Sequence, residues 1–395
     1  GVGVLVGINS VVSRALGGGE VDLAKRRAAQ GVAIALMFGL TVGGALFGLE
    51  RALFQLLGAS DALAVEISKY MRPYALGFPL LLLSMGANGT LRAQGAAKRS
   101  ASILLSMAAA NWVLDPLLIA GWGPLPSYGI AGAAYASVGA FAIAAAVAIT
   151  LAARSRLGLP VRRLPGSDWS KGIAALADVG APAALSNSIN PVGLTILTGF
   201  LASFGEDAVA AFGVAGRVQS FAVVPLLAMS SSIGGIVGQN WGAGLADRSR
   251  LALKEASAFS VGYGLVIAAL LVVFCHEAAA VFSDDTGVQD EIALYLRIAA
   301  WGICAYGVLI VTNGALNAIG RAKVATAISA LRVLAVMIPA AWIGRELFQE
   351  TGVFAAELVA NLVGGAIAYG IGVRSLRAEN CPAAVVSTAS VTARA

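Results

Sequence analysis

The residue in this sequence best placed to do chemistry is an aspartate set inside a long apolar run. Asp115 follows Asn111 by four positions and directly precedes Pro116. On a helix that spacing puts amide and carboxylate on one face, where the amide can donate to the carboxylate or join it around an ion. Pro116 has no N–H to give, which frees a nearby carbonyl as a further ligand. Counted inward from Ser100, Asp115 lies about 23 Å along a helix rising 1.5 Å per residue, inside a hydrocarbon layer of about 30 Å. An unpaired carboxylate at that depth is costly, so it must take up a proton, bind a cation or find a donor. All three suit the carriage of a proton or sodium ion. The plainer alternative is a carboxylate that ends its helix at the outer interface.

Other polar groups are candidates on weaker grounds. Ser137, on the next apolar run, has a hydroxyl for the same pocket, although a serine in a tightly packed span commonly bonds its own preceding turn. Asn187, Asn190, Arg217, Gln219 and Glu357 are candidates for lining a substrate cavity or gate. Arg332 and Glu357 are read as structural, pairing across neighbouring helices or snorkelling to opposite surfaces. Hydrolytic chemistry has little support. The single histidine, His276, sits at the outer end of a run, and no HExxH, GxSxG or phosphate-loop pattern occurs. The three cysteines, Cys275, Cys304 and Cys381, share no metal-ligand spacing, so neither a metal site nor a cofactor beyond a coupling ion is expected.

The elements that must position these residues are membrane spans. Of 395 residues, 58% are hydrophobic and 12% charged, more apolar surface than one soluble core can hide. Eleven segments are expected: a partial one ending near Val12, then 29–49, 73–91, 101–121, 129–153, 180–203, 209–236, 256–275, 294–316, 325–343 and 352–373. Alternating loops hold 20 Lys and Arg on one side against 5 on the other, with Arg217 and Arg332 inside spans. By the positive-inside rule the richer side, with the C-terminus, is cytoplasmic. The net charge of +6 is therefore attributed to loops facing the cytoplasm, not to a nucleic-acid partner. The expected organisation is an N-terminal lobe over 1–153, a cytoplasmic linker over 154–171, a C-terminal lobe over 172–373 and a disordered cytoplasmic tail over 374–395.

The chain repeats itself. Shifted by 225 positions, residues 11–98 align with 236–323 without a gap, giving 21 identities in 88 positions where composition predicts about one in ten. Gly17, Gly19 and Asp22 fall on Gly242, Gly244 and Asp247; Asn88, Gly89, Leu91, Gly95 and Lys98 fall on Asn313, Gly314, Leu316, Gly320 and Lys323. An even number of spans separates the copies, so both enter the membrane in one orientation, with a substrate cavity expected between the halves. Asn111 and Asp115 map onto Val336 and Ala340, so the duplicated scaffold does not itself require their polarity. The first copy starts abruptly, which predicts that one span and the beginning of the next precede Gly1.

The turns Ser13–Glu20 and Gly238–Gly244, with Leu91–Gly95, Asn111–Pro116 and Gly129–Ala134, resemble the multidrug and toxic compound extrusion (MATE) family in order, spacing and duplication. The Asn-x-x-x-Asp pattern and helix-breaking proline resemble its DinF-like branch. That resemblance implies an all-α polytopic membrane protein of two pseudo-symmetric six-helix bundles, with about eleven helices present here. It also implies efflux of small organic, often cationic, compounds in exchange for protons or sodium by alternating access of the two lobes. The setting implied is a bacterial inner membrane, with a monomeric protein in the lipid bilayer. Asp115, Asn111 and Ser137 are then the expected cation-coupling residues. The alternatives are a lipid-linked oligosaccharide flippase, for which only Arg217 and Arg332 offer cationic groups, and an intramembrane hydrolase.

Overall fold

A computed structural model describes residues 1–56, 58, 60–121, 126–158 and 168–382. Arg162, Arg163 and the prolines of the expected linker lie outside the described residues, as does the tail beyond Pro382. The nearer part of the tail continues the final helix to Ser375 and adds a short 3-10 turn over Ala378–Asn380.

The chain divides into two compact units, one comprising Gly1–Leu16 and Glu20–Gly180, the other Gly17–Gly19 and Ala181–Ala395. The first contains α1 (Val2–Gly17), α2 (Val21–Leu56), α3 (Asp61–Ala93), α4 (Ala97–Ile119), α5 (Ile130–Ala153) and the beginning of α6 (Trp169–Leu201). The second takes the rest of α6, then α7 (Glu206–Gly242), α8 (Ala246–Val273), α9 (Cys275–Ala280), α10 (Thr286–Ala299), α11 (Gly302–Ala318), α12 (Ala322–Ala330), a π-helical stretch (Leu331–Met337) and α13 (Ile338–Ser375).

Among the described residues, seven helices are long and apolar enough to cross a membrane, or eight with the bent pair α10–α11. The longest such stretch, Ala322–Ser375, covers two of the expected segments because the chain reverses inside it at Gln349. Large apolar side chains such as Trp112 and Phe221 stand exposed on these helices, as lipid-facing residues must. Contacts between helices use small residues, so that Ala makes up much of each buried core.

The internal repeat is written in the backbone. Glu20 N donates to Ala15 O (2.9 Å) and Leu245 N to Asn240 O (2.8 Å); Ala96 N donates to Leu91 O (3.0 Å) and Arg321 N to Leu316 O (2.8 Å). These are four six-to-one helix closures, and each needs a left-handed residue just past the helix end. Gly19 and Gly244 both have φ of 76°, while Gly95 and Gly320 have 73° and 83°. The glycines matched by the 225-residue shift are the ones the caps require, since a Cβ would be strained there.

Two spans and the turn between the last two depart from regular helix. The segment expected over 294–316 breaks at Trp301, where α10 and α11 meet at 56°. The segment expected over 325–343 contains the π-helical stretch, which ends against Pro339; a proline cannot donate to the carbonyl four residues back and crowds it, and a wider turn relieves that clash. At Gln349 the backbone takes φ 55° and ψ −137°, a conformation natural to glycine. Gln349→Gly is therefore expected to stabilise the protein by about 1 kcal/mol, seen as a rise of a few degrees in melting temperature; a lower one would show that this turn is unstrained.

Candidate functional site

In the first unit, α4 lies along α5. A Cβ placed on Gly132 would fall 2.2 Å from Leu118 O, and one on Gly139 would fall 2.8 Å from the Leu114 side chain. Leu114 and Leu118 therefore mark the seam, and Asn111 and Asp115 flank it on the same helix. Asn111 Nδ2 donates to Asp115 Oδ1 at 3.3 Å, with both side chains half-buried. The helix runs on to Ile119, so Asp115 does not terminate it. It sits in the last turns, where the helix dipole is negative and disfavours a carboxylate.

A second buried carboxylate shows what full compensation looks like. Glu50, 2% exposed, accepts from Arg72 Nε at 2.9 Å and from Ser68 Oγ at 2.7 Å, and Arg72 lies 5.9 Å from the centre of the Phe47 ring. Asp115 has one long bond from a neutral amide. Its charge is the less compensated, which favours an incoming cation.

Ser137 is not brought to this pair. At about 100° per residue it stands roughly 140° around α5 from Gly132, away from the α4 seam. It makes no hydrogen bond to Asp115 among the described residues. Adjacency of two helices in sequence identified the right neighbour, but the wrong face of it.

The second unit has a partly open cavity of about 240 Å³ with Asn190, Gln219, Tyr295, Tyr306, Arg332, Glu357 and Asn361 on its wall. Glu357 is 6% exposed, accepting from Gln219 Nε2 at 3.1 Å and from the Tyr295 hydroxyl at 2.7 Å. That hydroxyl is also 2.9 Å from Gln219 Oε1, so one phenolic proton serves two oxygens. Tyr295 is itself fixed by edge-on contacts with Phe212 and Phe354, ring centres 5.6 and 5.2 Å away.

Arg332 is 3% exposed. It donates to Asn361 Oδ1 at 2.7 Å and to Asn190 Oδ1, and lies 5.2 Å from the centre of the Tyr306 ring. The reading of Arg332 and Glu357 as snorkelling or mutually paired is thereby corrected. Both are buried, each is held by neutral groups, and no ion pair joins them among the described residues. Kinks explain the convergence: the break at Trp301 lets α10 and α11 each present a tyrosine, and the π-helical stretch carries Arg332.

Three of the five cavity or gate candidates, Asn190, Gln219 and Glu357, thus share one cavity, together with Arg332. Asn187 is exposed and bonds its own preceding turn at Ala183 O, and Arg217 is exposed and pairs with no carboxylate among the described residues. Tyr295, Tyr306 and Asn361 were not foreseen. Asn361 was within reach, since Glu357 and Asn361 repeat the four-residue spacing of Asn111 and Asp115.

The MatE family profile matches residues 1–117 and 182–343. An FAD transporter of Shewanella oneidensis is 32% identical over 378 residues, covering 93% of this chain and 81% of that protein. The probable multidrug resistance protein NorM of Deinococcus radiodurans is 30% identical, covering 94% and 81%. Among solved structures, the Vibrio cholerae MATE transporter VcmN in its bent form has a TM-score of 0.85 at 28% identity, covering 95% of this chain and 85% of its own. Profile, relatives and structure agree with the duplicated caps and the helical plan, and this chain belongs to the MATE family of membrane transporters.

Proposed function

We propose that the chain is a secondary-active exporter of small organic compounds, driven by a proton or sodium ion bound at Asp115 and Asn111. The observation that carries this reading is the half-buried carboxylate of Asp115, held by one neutral donor near the negative end of a helix in an otherwise apolar span. Ion binding there favours one arrangement of the two lobes and solute binding the other; the difference in affinity performs the coupling. The C-terminus faces the cytoplasm in this reading, which the distribution of Lys and Arg supports. A flippase for pyrophosphate-linked lipids fits less well, because among the described residues Arg332 is the only cation on the cavity of the second unit.

The test is transport by the chain in proteoliposomes under imposed proton or sodium gradients, using ethidium as an organic cation and FAD because the Shewanella relative is an FAD transporter. Gradient-driven movement of a solute is expected with wild type. Asp115→Asn, which keeps shape and removes the ionisable group, is expected to reduce it to the rate seen without a gradient. Coupled transport surviving unchanged in Asp115→Asn would remove this residue from the mechanism.

A further inference from the structure

The cavity of the second unit holds a cation and an anion that do not satisfy each other. Arg332 is anchored away from Glu357 by its two asparagines and by α13, which passes so close that a Cβ on Gly364 would lie 2.7 Å from Arg332 Cγ. Glu357 is anchored by Gln219 and Tyr295. Asn361, which accepts from Arg332, is one helical turn beyond Glu357 on α13, and no ion pair joins the two charged groups among the described residues. Compensation at the arginine is incomplete, for Arg332 Nε and Asn361 Nδ2 have no acceptor. Two opposite charges fixed apart in a poorly polarisable surrounding set up a field across the space between them, and a solute with its own separated charges is favoured when it lies head to tail in that field.

We propose that this cavity is a binding subsite for small zwitterionic solutes, with the solute's carboxylate toward Arg332 and its ammonium toward Glu357. A cavity of about 240 Å³ is below the size of a typical drug pocket and suited to an amino acid with a modest side chain. Leu194, Val223 and Leu227 supply an apolar wall for that side chain. The proposal rests on the transport reading for its physiological meaning and names a substrate class for it. The binding itself needs no gradient and does not involve Asp115.

The experiment is equilibrium binding to the purified chain in detergent with three probes that share one apolar body: L-leucine, 4-methylpentanoate, which lacks the ammonium, and 3-methylbutylamine, which lacks the carboxylate. Leucine is expected to bind roughly tenfold or more tighter than either analogue, the difference a charge-assisted hydrogen bond makes. Glu357→Gln should close the gap between leucine and 4-methylpentanoate, and Arg332→Gln the gap between leucine and 3-methylbutylamine. Should Arg332→Gln not fold, Gly216→Phe decides, since Gly216 lies on the cavity wall with nothing within 4 Å of a Cβ placed there. That variant is expected to fill the space and abolish leucine binding without lowering the melting temperature. Leucine binding no tighter than both analogues, or bound equally well by Gly216→Phe, overturns the assignment. A chain that binds leucine but fails the gradient test keeps this site and loses the coupling mechanism.

Discussion

Gly352→Val is expected to prevent normal folding of the second unit, lowering the melting temperature by roughly 10 °C or more or leaving no folded material to extract. Gly344 and Gly352 are eight residues apart, a distance of about 12 Å on a straight helix at 1.5 Å per residue. In the structure a Cβ on Gly352 would lie 2.1 Å from Gly344 O, and one on Gly344 would lie 2.5 Å from Gly352 O. The reversal at Gln349 has brought the two arms of α13 into backbone contact. A side chain can rotate out of the way of an added methyl, but a carbonyl fixed in a helix cannot, so the arms must part and the cost exceeds the ordinary 1–3 kcal/mol of overpacking. Even Gly352→Ala should destabilise. The control is Gly370→Ala on the same helix, where nothing lies within 4 Å of the added carbon. Alanine there should stabilise by about 0.5–1 kcal/mol through helix propensity alone. Equal melting temperatures for Gly352→Val and wild type would show that the arms do not touch.

That hairpin shows what kind of information a sequence carries openly. The polar stretch from Arg345 to Thr351 marks the reversal between two spans, and the glycines at 19, 95, 244 and 320 mark helix ends, because both signals are local: charge must leave the lipid, and a left-handed cap needs a residue without Cβ. The 225-residue repeat is legible for the same reason. Its matched glycines answer the same backbone demand twice.

The break at Trp301 leaves no comparable trace. Its neighbours are apolar on both sides, so any window of a span's length averages it away, and only the structure shows the turn, with Gly302 close against Asn361 just beyond it. The sites divide along the same line. Asn111 and Asp115 are partners within one helix, and their spacing alone predicts the bond that is found. Arg332 finds its partners on α6 and α13, and Tyr295 reaches Glu357 across 62 positions in the chain. Depth along a helix can be counted from sequence, but the direction a side chain faces in a bundle cannot. Glu357 is thus found on the cavity for which it is a candidate, while its pairing with Arg332, or the snorkelling of both to opposite surfaces, gives way to two buried groups held by neutral partners.

The burial of Arg332 makes its loss the other large effect. Arg332→Ala should destabilise the second unit by about 3–5 kcal/mol, the range for removing one member of a buried charged network. Three losses add to one another. The hydrogen bonds to Asn190 and Asn361 carry a full charge and are worth about 1.5–3 kcal/mol each in such settings. Asn361, 1% exposed, is left with its oxygen as unpartnered as its nitrogen already is. Truncation also empties the volume that Gly364 and Tyr306 now enclose, and a cavity penalty follows. Against these stands the relief of no longer burying a guanidinium, which keeps the total well below the sum of its parts. Arg332→Lys separates charge from shape, because an ammonium keeps the charge but cannot bond two divergent amides in one plane or lie flat on Tyr306. It should fall between wild type and alanine in melting temperature. Lysine as stable as arginine would mean that charge alone matters here; lysine as unstable as alanine would mean that the planar fork is what holds α6, α13 and the intervening π-helical turn together.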